Sequence, residues 1–424
     1  MIGPTYSEQA TICAVTSGIY DRMILSPTAS LSGLSSKALY PLFGRSVPPD
    51  TQQSSAMLDF LRYYYNITAE PKWLNCSIIS TADSYGVDGS RQFIAAGVAT
   101  TPNVTVLAFQ QFLVGATDIS VEVGELNQSG TRVFVAYMAS HSFQTVLLEA
   151  NKQKLIGDYF VWLCSDGCST DSIHEDTNGK VVKKYQQLSR GLTGFLPQGG
   201  TGIRYQEYLD RWLSLDPDVY PGAGSIPTIQ SILTYDTVYA AALSIQLSFS
   251  TGNYSLSGKQ LFTSATLLQF VGLTGFYDLS ATGDRITDYQ IVNVRPDYVF
   301  HQTFQWNTTA LLTPIAETFW HDGTTQIPGT SLLPFAFPIF FPSLRVSLTF
   351  PFSLFHPSSM RSKKLIFSFF LDLDVKTPFD YWSCDGKESG TDKTGYFSFL
   401  KIIHRGNEET NCIRVPLFSS QKNN

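Results

Sequence analysis

Hydroxyl side chains stand at two turns where a short apolar run gives way to a helical pattern. Thr5 and Ser7 lie in the first turn, Ile2–Ser7, and Ser30 closes the second, Ser26–Ser30. The first turn of a helix presents free N–H groups and the positive end of the helix dipole. A carboxylate or another anion suits that position, and hydroxyls add donors. Simple capping of the helices by these side chains is the alternative.

Two other side chains could recognise a positive charge. The ring of Tyr85, in a turn between a predicted strand and a predicted helix, could cover an ammonium group by cation–π attraction. A turn tyrosine without a ligand is the alternative. Asp236 could pair with an amine, although the pattern favours capping of a helix start. Three further acids are predicted to be solvated in loops: Asp83, Asp88 and Asp166.

Enzyme signatures are missing from the sequence. It contains no G-x-S-x-G, H-E-x-x-H, G-x-x-x-x-G-K-[ST] or G-x-G-x-x-G, and its six histidines are scattered. We therefore predict no catalytic residue, no cofactor and no metal site. A net charge of −6 argues against nucleic acid as a partner, because phosphate binding requires a basic surface.

Cys164 and Cys168 bracket the tripeptide Ser-Asp-Gly, a turn that could bring the two sulfurs together. We predict a small disulfide-closed loop at this position. A zinc site is disfavoured because no second Cys or His pair follows.

Sequons are frequent for a chain with this asparagine content. Six of the thirteen asparagines begin N-x-S/T with a middle residue other than proline. The predicted glycosylation sites are Asn66, Asn75, Asn103, Asn127, Asn253 and Asn307. The excess favours a lumenal or extracellular protein, and accidental sequons in a Ser/Thr-rich chain are the alternative. No signal peptide or convincing membrane span is visible; the nearest candidate, 331–356, is interrupted by prolines.

Strand and helix patterns alternate along the first half of the chain. Apolar runs at Asn75–Ser80, Thr131–Tyr137 and Asp158–Leu163 predict buried strands, and Thr51–Tyr65, with Asp50 as its cap, predicts a helix. This order is typical of an α/β fold with a mostly parallel sheet covered on both faces.

Seven stretches in order resemble the receptor ligand-binding region shared by metabotropic glutamate receptors, type-B GABA receptors and natriuretic-peptide-type guanylate cyclases. They are Ile2–Ser7, Ser26–Ser30, Tyr40–Asp50, Asp83–Gly86, Tyr235–Ala240, Gly272–Asn293 and Trp320–Pro328. The resemblance covers residues 1–328. It implies the type I periplasmic-binding-protein fold, a two-lobed clamp, and no enzyme activity.

The resemblance also implies a domain plan. Lobe one would comprise about 1–70 and 205–270, and lobe two about 71–204 and 271–328. The family's usual first strand, helix and strand are expected to be missing, because the chain begins at the family's first turn. Residues 329–424 do not resemble the family, and we interpret them as an atypical tail, either disordered or a mispredicted gene end.

By resemblance, the matching turns hold the carboxylate of an amino-acid-like or GABA-like ligand, which makes Thr5, Ser7 and Ser30 candidates, with Tyr85 facing them from lobe two. The implied function is the extracellular ligand-binding domain of a membrane receptor of the class C G-protein-coupled type, acting as a dimer. A periplasmic-type substrate-binding protein for a transporter is one alternative. A truncated receptor fragment without function is the other.

Overall fold

The structure is a computed structural model that describes residues 1–252, 254 and 256–328, together with the backbone of 398–406 and 409–417. Met1–Pro338 forms one compact unit and Ile339–Asn424 a second. The interpretation of 329–424 as an atypical tail falls almost entirely outside the described residues. Two strands of that segment pair with each other in an antiparallel ladder.

The helices are α1 (Ser7–Ile19), α2 (Asp50–Thr68), α3 (Ser84–Ala99), α4 (Ser120–Gln128), α5 (Ser140–Lys152), α6 (Lys183–Ser189), α7 (Gly202–Ser214), α8 (Ile229–Ser250) and α9 (Gly258–Thr266). The strands are β1 (Ile24–Ser26), β2 (Phe43–Arg45), β3 (Asn75–Thr81), β4 (Thr105–Phe112), β5 (Val133–Tyr137), β6 (Val161–Cys164), β7 (Thr193–Pro197), β8 (Gln269–Gly272), β9 (Gly275–Asp278), β10 (Tyr289–Val294), β11 (Phe300–Asn307), β12 (Leu311–Pro314), β13 (Ser398–Gly406) and β14 (Glu409–Leu417).

An eight-stranded sheet organises the larger part of the first unit. Its order is β12-β11-β10-β7-β6-β5-β3-β4. The strands from β4 to β7 run parallel to one another, and β10, β11 and β12 add antiparallel neighbours at the other side. The predicted α/β class with a mostly parallel sheet is confirmed.

Alternation along the strands sends side chains to both faces of this sheet. In β5, Val133 and Val135 belong to the apolar cluster that includes α2, whereas Phe134 and Ala136 belong to the cluster that includes α4 and α5. Both faces are therefore covered, as parallel sheets require. We call this sheet and the helices α2–α6 the large-sheet lobe.

A second group of elements packs around the short parallel pair β1–β2. One apolar cluster joins β1 to α8, α9 and the hairpin β8–β9, and another joins α1 to β1 and β2. We call this group, with α7, the small-sheet lobe. The chain passes between the two lobes after β2, after β7 and before β10.

Side-chain packing shifts the lobe limits drawn from the sequence. The sequence analysis placed 50–68 in lobe one and 271–279 in lobe two. In the structure α2 packs against the eight-stranded sheet through Phe60, Leu61 and Tyr64, so it belongs to the large-sheet lobe. The hairpin β8–β9 packs against α8 and α9 through Tyr277, so it belongs to the small-sheet lobe. The remaining limits stay a proposal.

Arg45 forms hydrogen bonds with several residues of the loop that follows β1. Its guanidinium pairs with Asp284 at 2.6 Å, and both side chains are buried. The other donors reach the carbonyls of Ala29 and Leu31, at 3.2 and 2.8 Å, and the hydroxyl of Ser35 at 2.6 Å. Because the carboxylate and the other acceptors use four of the five guanidinium N–H donors, the charge is compensated inside the lobe.

Replacing Arg45 by methionine should leave Asp284 buried without its partner. We expect the free energy of unfolding to fall by about 3–5 kcal/mol, measured by denaturant titration. The control is Lys152→Met, which breaks a surface pair with Glu149 and should cost at most about 1 kcal/mol. Equal losses in the two variants would contradict this assignment.

Candidate functional site

The switch point of the large sheet is the natural place to look for a site. β3 connects through α3 to β4 on one side, and the chain then returns to β5 on the other side of β3. In open α/β sheets a crevice forms outside the carboxyl ends of such strands. Here the turns after β3, β5 and β6 meet at that edge, facing the loop after β1.

Tyr85 lies in the first turn of α3, directly after β3. Asp83 caps this helix, since its Oδ1 accepts a hydrogen bond from the Gly86 N–H at 2.9 Å. The Tyr85 hydroxyl donates to Asp166 Oδ1 and accepts from the Gly167 N–H at 3.2 Å. The tyrosine is thereby fixed against the turn that follows β6, and both turns belong to the large-sheet lobe.

Two carboxyl groups meet near this tyrosine. Asp50 is completely buried, and neither of its carboxylate oxygens has a hydrogen-bond partner. Burial, followed by the charge of Asp166, raises the pKa of Asp50 well above its ordinary value; Ser30 and Arg45 act in the opposite direction. The Ser30 hydroxyl is near enough to favour the charged form, although its geometry is not that of a hydrogen bond.

Asp166 is the second member of this acid pair. Burial raises its pKa as well, and the Tyr85 hydroxyl, Gln53 and the Gly167 N–H oppose that rise. Arg45, whose charge lowers the pKa of Asp50, already pairs with Asp284 and donates to the loop carbonyls. The pair therefore lacks a full counter-charge within the described residues.

Unsatisfied polar atoms cluster around the acid pair. Gln53 Oε1, the Ser84 hydroxyl and the Tyr289 hydroxyl are buried without a hydrogen-bond partner, in addition to both oxygens of Asp50. Buried polar groups in folded proteins are nearly always paired, so such atoms call for a partner from outside the chain. A ligand that carries donors and a positive charge would supply one.

The hydroxyl-bearing turns lie on the small-sheet side of this edge. The Ser7 hydroxyl accepts from the Leu31 N–H at 3.2 Å, which places it beside Ser30. The Thr5 carbonyl accepts from the Thr28 hydroxyl at 2.8 Å, so the two turns are adjacent. Ser30 accepts at its carbonyl from the Asp50 N–H at 2.9 Å. No side chain caps the start of α1, which leaves first-turn N–H groups for an anion.

Several expectations about single residues are wrong. Asp50 does not cap α2, because Pro49 occupies the cap position and no side-chain cap bond forms. Asp166 is not a solvated loop acid, because its turn folds against Tyr85. The position of Asp166 in the sequence could have indicated this, because it follows the buried strand β6 after one residue, at the end of the strand where a crevice forms.

Asp236 neither caps a helix nor faces the site. It lies within α8, fully buried, and accepts from the Leu273 and Thr274 N–H groups at 2.7 and 3.0 Å and from the Thr274 hydroxyl at 2.6 Å. It thereby fixes the turn between β8 and β9. A Cβ atom on Gly272 would lie 2.5 Å from both carboxylate oxygens, which explains the glycine.

The predicted disulfide is absent from the structure. Cys164 and Cys168 are both buried free thiols. The short 3-10 turn that includes Cys168 directs its sulfur towards the Ala136 carbonyl, 3.7 Å away. Of the predicted glycosylation sites, Asn66, Asn103 and Asn127 are exposed, Asn75 and Asn307 are partly buried, and Asn253 lies outside the described residues. Their modification stays a prediction.

Comparison with known proteins agrees with this architecture. The receptor family ligand-binding region matches residues 1–297, and the chain belongs to this family. Its members are ligand-binding regions of receptors rather than enzymes. Within 1–252, 254 and 256–328, no helix is both long and apolar enough to cross a membrane.

The chain is similar to several class C receptors. It is 24% identical over 298 residues to metabotropic glutamate receptor-like protein E of Dictyostelium discoideum, covering 68% of this chain and 34% of that protein. It is 27% identical over 169 residues to the metabotropic glutamate receptor of Drosophila melanogaster, covering 39% and 16%. It is 22% identical over 214 residues to the human extracellular calcium-sensing receptor, covering 50% and 18%. The chain thus spans about a third or less of the length of these relatives.

The raised pKa of Asp50 predicts how stability depends on pH. The folded protein keeps a proton that the unfolded chain releases, so stability falls as pH rises from about 4 towards the folded-state pKa. Asp50→Asn cannot ionise. We expect it to melt at a higher temperature than wild type at pH 7–8 and at a similar temperature near pH 4, in thermal melts across that range.

The control for this experiment is Asp218→Asn, which alters an exposed acid on the small-sheet lobe. Its melting temperature should follow wild type at every pH. Parallel curves for Asp50→Asn and wild type would show that Asp50 carries no excess proton in the folded state.

Proposed function

We propose that this chain binds a small molecule with an amino group and an anionic group, of the amino-acid or GABA-like kind, between its two lobes. The observation that carries the proposal is the acid pair formed by the buried Asp50 and the partly buried Asp166, which has no full counter-charge among the residues that the structure describes. An ammonium group would favour release of the proton that Asp50 retains and would satisfy the unpaired acceptors. The Tyr85 ring adds a face for the same cation.

The opposite end of the ligand fits the hydroxyl-bearing turns. Ser30, Ser7 and Thr5 lie in adjacent turns, and the N-terminus of α1 favours an anion there. A ligand with separated opposite charges would therefore span from the small-sheet lobe to the large-sheet lobe. Binding to both lobes stabilises the closed arrangement over an open one, which is how ligand binding shifts a two-state equilibrium.

We further propose that the chain belongs to an extracellular receptor that is attached to a membrane and acts as a dimer. Support comes from the relatives, which are receptors by name, two of them named for glutamate. The exposed sequons are compatible with an extracellular environment. Closure of the lobes would then change the arrangement of a partner subunit.

A thermal-shift screen of the full chain against the common amino acids and GABA tests the binding proposal. A ligand at 100 times its dissociation constant should stabilise the protein by about 2.7 kcal/mol, a rise of several degrees in melting temperature. Asp166→Asn should abolish the shift, because it removes the charge that faces the ammonium. Glu125→Ala, which alters an exposed acid on α4, should retain it. The absence of a shift with every compound would refute the proposal.

A further inference from the structure

Asp88 makes a contact between the two lobes away from the segments that connect them. It lies in α3 on the large-sheet lobe. Its Oδ2 accepts a hydrogen bond from the Ser32 N–H of the small-sheet lobe at 2.8 Å. Its Oδ1 accepts from the Gln92 side chain, one turn further along the helix, at 3.2 Å. Both oxygens of the carboxylate are therefore engaged, and the side chain is fixed in one orientation.

Ser32 is a suitable partner for a carboxylate. It is the first residue of a 3-10 turn, Ser32–Ser35, whose cap residue Leu31 provides no side-chain bond. Its N–H therefore has no partner within that turn. A carboxylate that accepts from such an N–H forms a charge-assisted hydrogen bond, which is stronger than one between neutral groups.

The segment that carries Ser32 is held to its own lobe. The Ser7 hydroxyl accepts from the Leu31 N–H, and Arg45 donates to the Leu31 carbonyl. Asp88 is held equally firmly to the other lobe, because α3 packs against α2 and against the sheet through Phe93. If the lobes separate, neither side can follow the other, and the bond between Asp88 and Ser32 must break.

Two other bonds join the segment that carries Ser32 to the large-sheet lobe, through the start of α2, but they lie closer to a connection between the lobes. The Asp50 N–H donates to the Ser30 carbonyl at 2.9 Å, and the Thr51 N–H donates to the Ser32 hydroxyl at 3.2 Å. Both donors lie within six residues of the end of β2, where the chain crosses. Asp88 lies far along the chain from that crossing, so its bond restrains the lobes at a point that this connection does not hold.

We propose that Asp88 is a closure latch, a residue that stabilises the closed clamp by accepting the Ser32 N–H. Its charge also helps to raise the pKa of Asp50, and Asp88→Asn, which removes that charge but keeps an acceptor, separates the two effects. The inference rests on the proposed function, in which the lobes open and close. It adds a residue that sets how easily the clamp closes for any ligand.

A latch has a distinct signature in binding. Apparent affinity scales with the fraction of molecules in the closed form. We expect Asp88→Ala to weaken every ligand about tenfold, equivalent to ~1.4 kcal/mol, and to leave the order of preference among amino acids unchanged. Asp88→Asn keeps an acceptor oxygen without the charge and should lie between Asp88→Ala and wild type.

The latch can be tested without any ligand. Hydrogen–deuterium exchange of the free, full-length chain should show faster exchange at the Ser32 amide in Asp88→Ala than in wild type, and small-angle scattering should give a larger radius of gyration. Glu125→Ala, which removes an acid from the same lobe, should match wild type in both measurements. Asp88→Asn serves as the readout if Asp88→Ala fails to fold.

Unchanged exchange at Ser32 and an unchanged radius in a folded Asp88 variant would overturn the latch. This outcome is separate from failure of the proposed function. A chain that binds no amino acid but opens when Asp88 is replaced retains the latch and loses the ligand proposal. A chain that binds amino acids equally well with and without Asp88 retains the ligand proposal and loses the latch.

Discussion

The buried pair between Arg45 and Asp284 is the interaction on which the site depends. A guanidinium taken out of water must have its charge and its donors compensated, or the folded state loses several kcal/mol. Here the carboxylate of Asp284 compensates the charge, and the carbonyls of Ala29 and Leu31 and the Ser35 hydroxyl accept from further donors. Satisfying Arg45 therefore fixes the backbone of the loop that presents Ser30.

The ion pair between Arg45 and Asp284 also explains why Asp50 and Asp166 lack a cationic partner. Arg45 is the positive charge that acts on Asp50, but its hydrogen bonds all go to other groups. Asp50 is thus left buried with unpaired oxygens, and Asp166 is held beside it by Tyr85. Functional sites in proteins commonly keep such unfavourable arrangements, and a ligand that supplies the missing charge removes the cost.

Local sequence patterns predicted the regular secondary-structure elements well. Apolar runs of four to eight residues placed the strands at Asn75–Thr81 and Val133–Tyr137, and helical spacing placed α2, because a sheet buried on both faces imposes these patterns directly on the sequence. The roles of single residues in turns were harder to predict from the sequence. Asp83 was expected to be solvated, and it caps α3. Capping of a helix depends on one hydrogen bond, and the spacing of apolar residues carries no information about that bond.

By itself the sequence determined the family, the α/β class and the turns that carry Ser7, Ser30 and Tyr85, because motif order and apolar spacing are properties of the chain alone. Only the tertiary structure decided which acids come together. Asp50 and Asp166 are 116 residues apart in the chain, and their charges interact because folding brings the start of α2 near the turn that follows β6. Burial and charge compensation depend on neighbours that are distant in sequence, and folding alone brings those neighbours together.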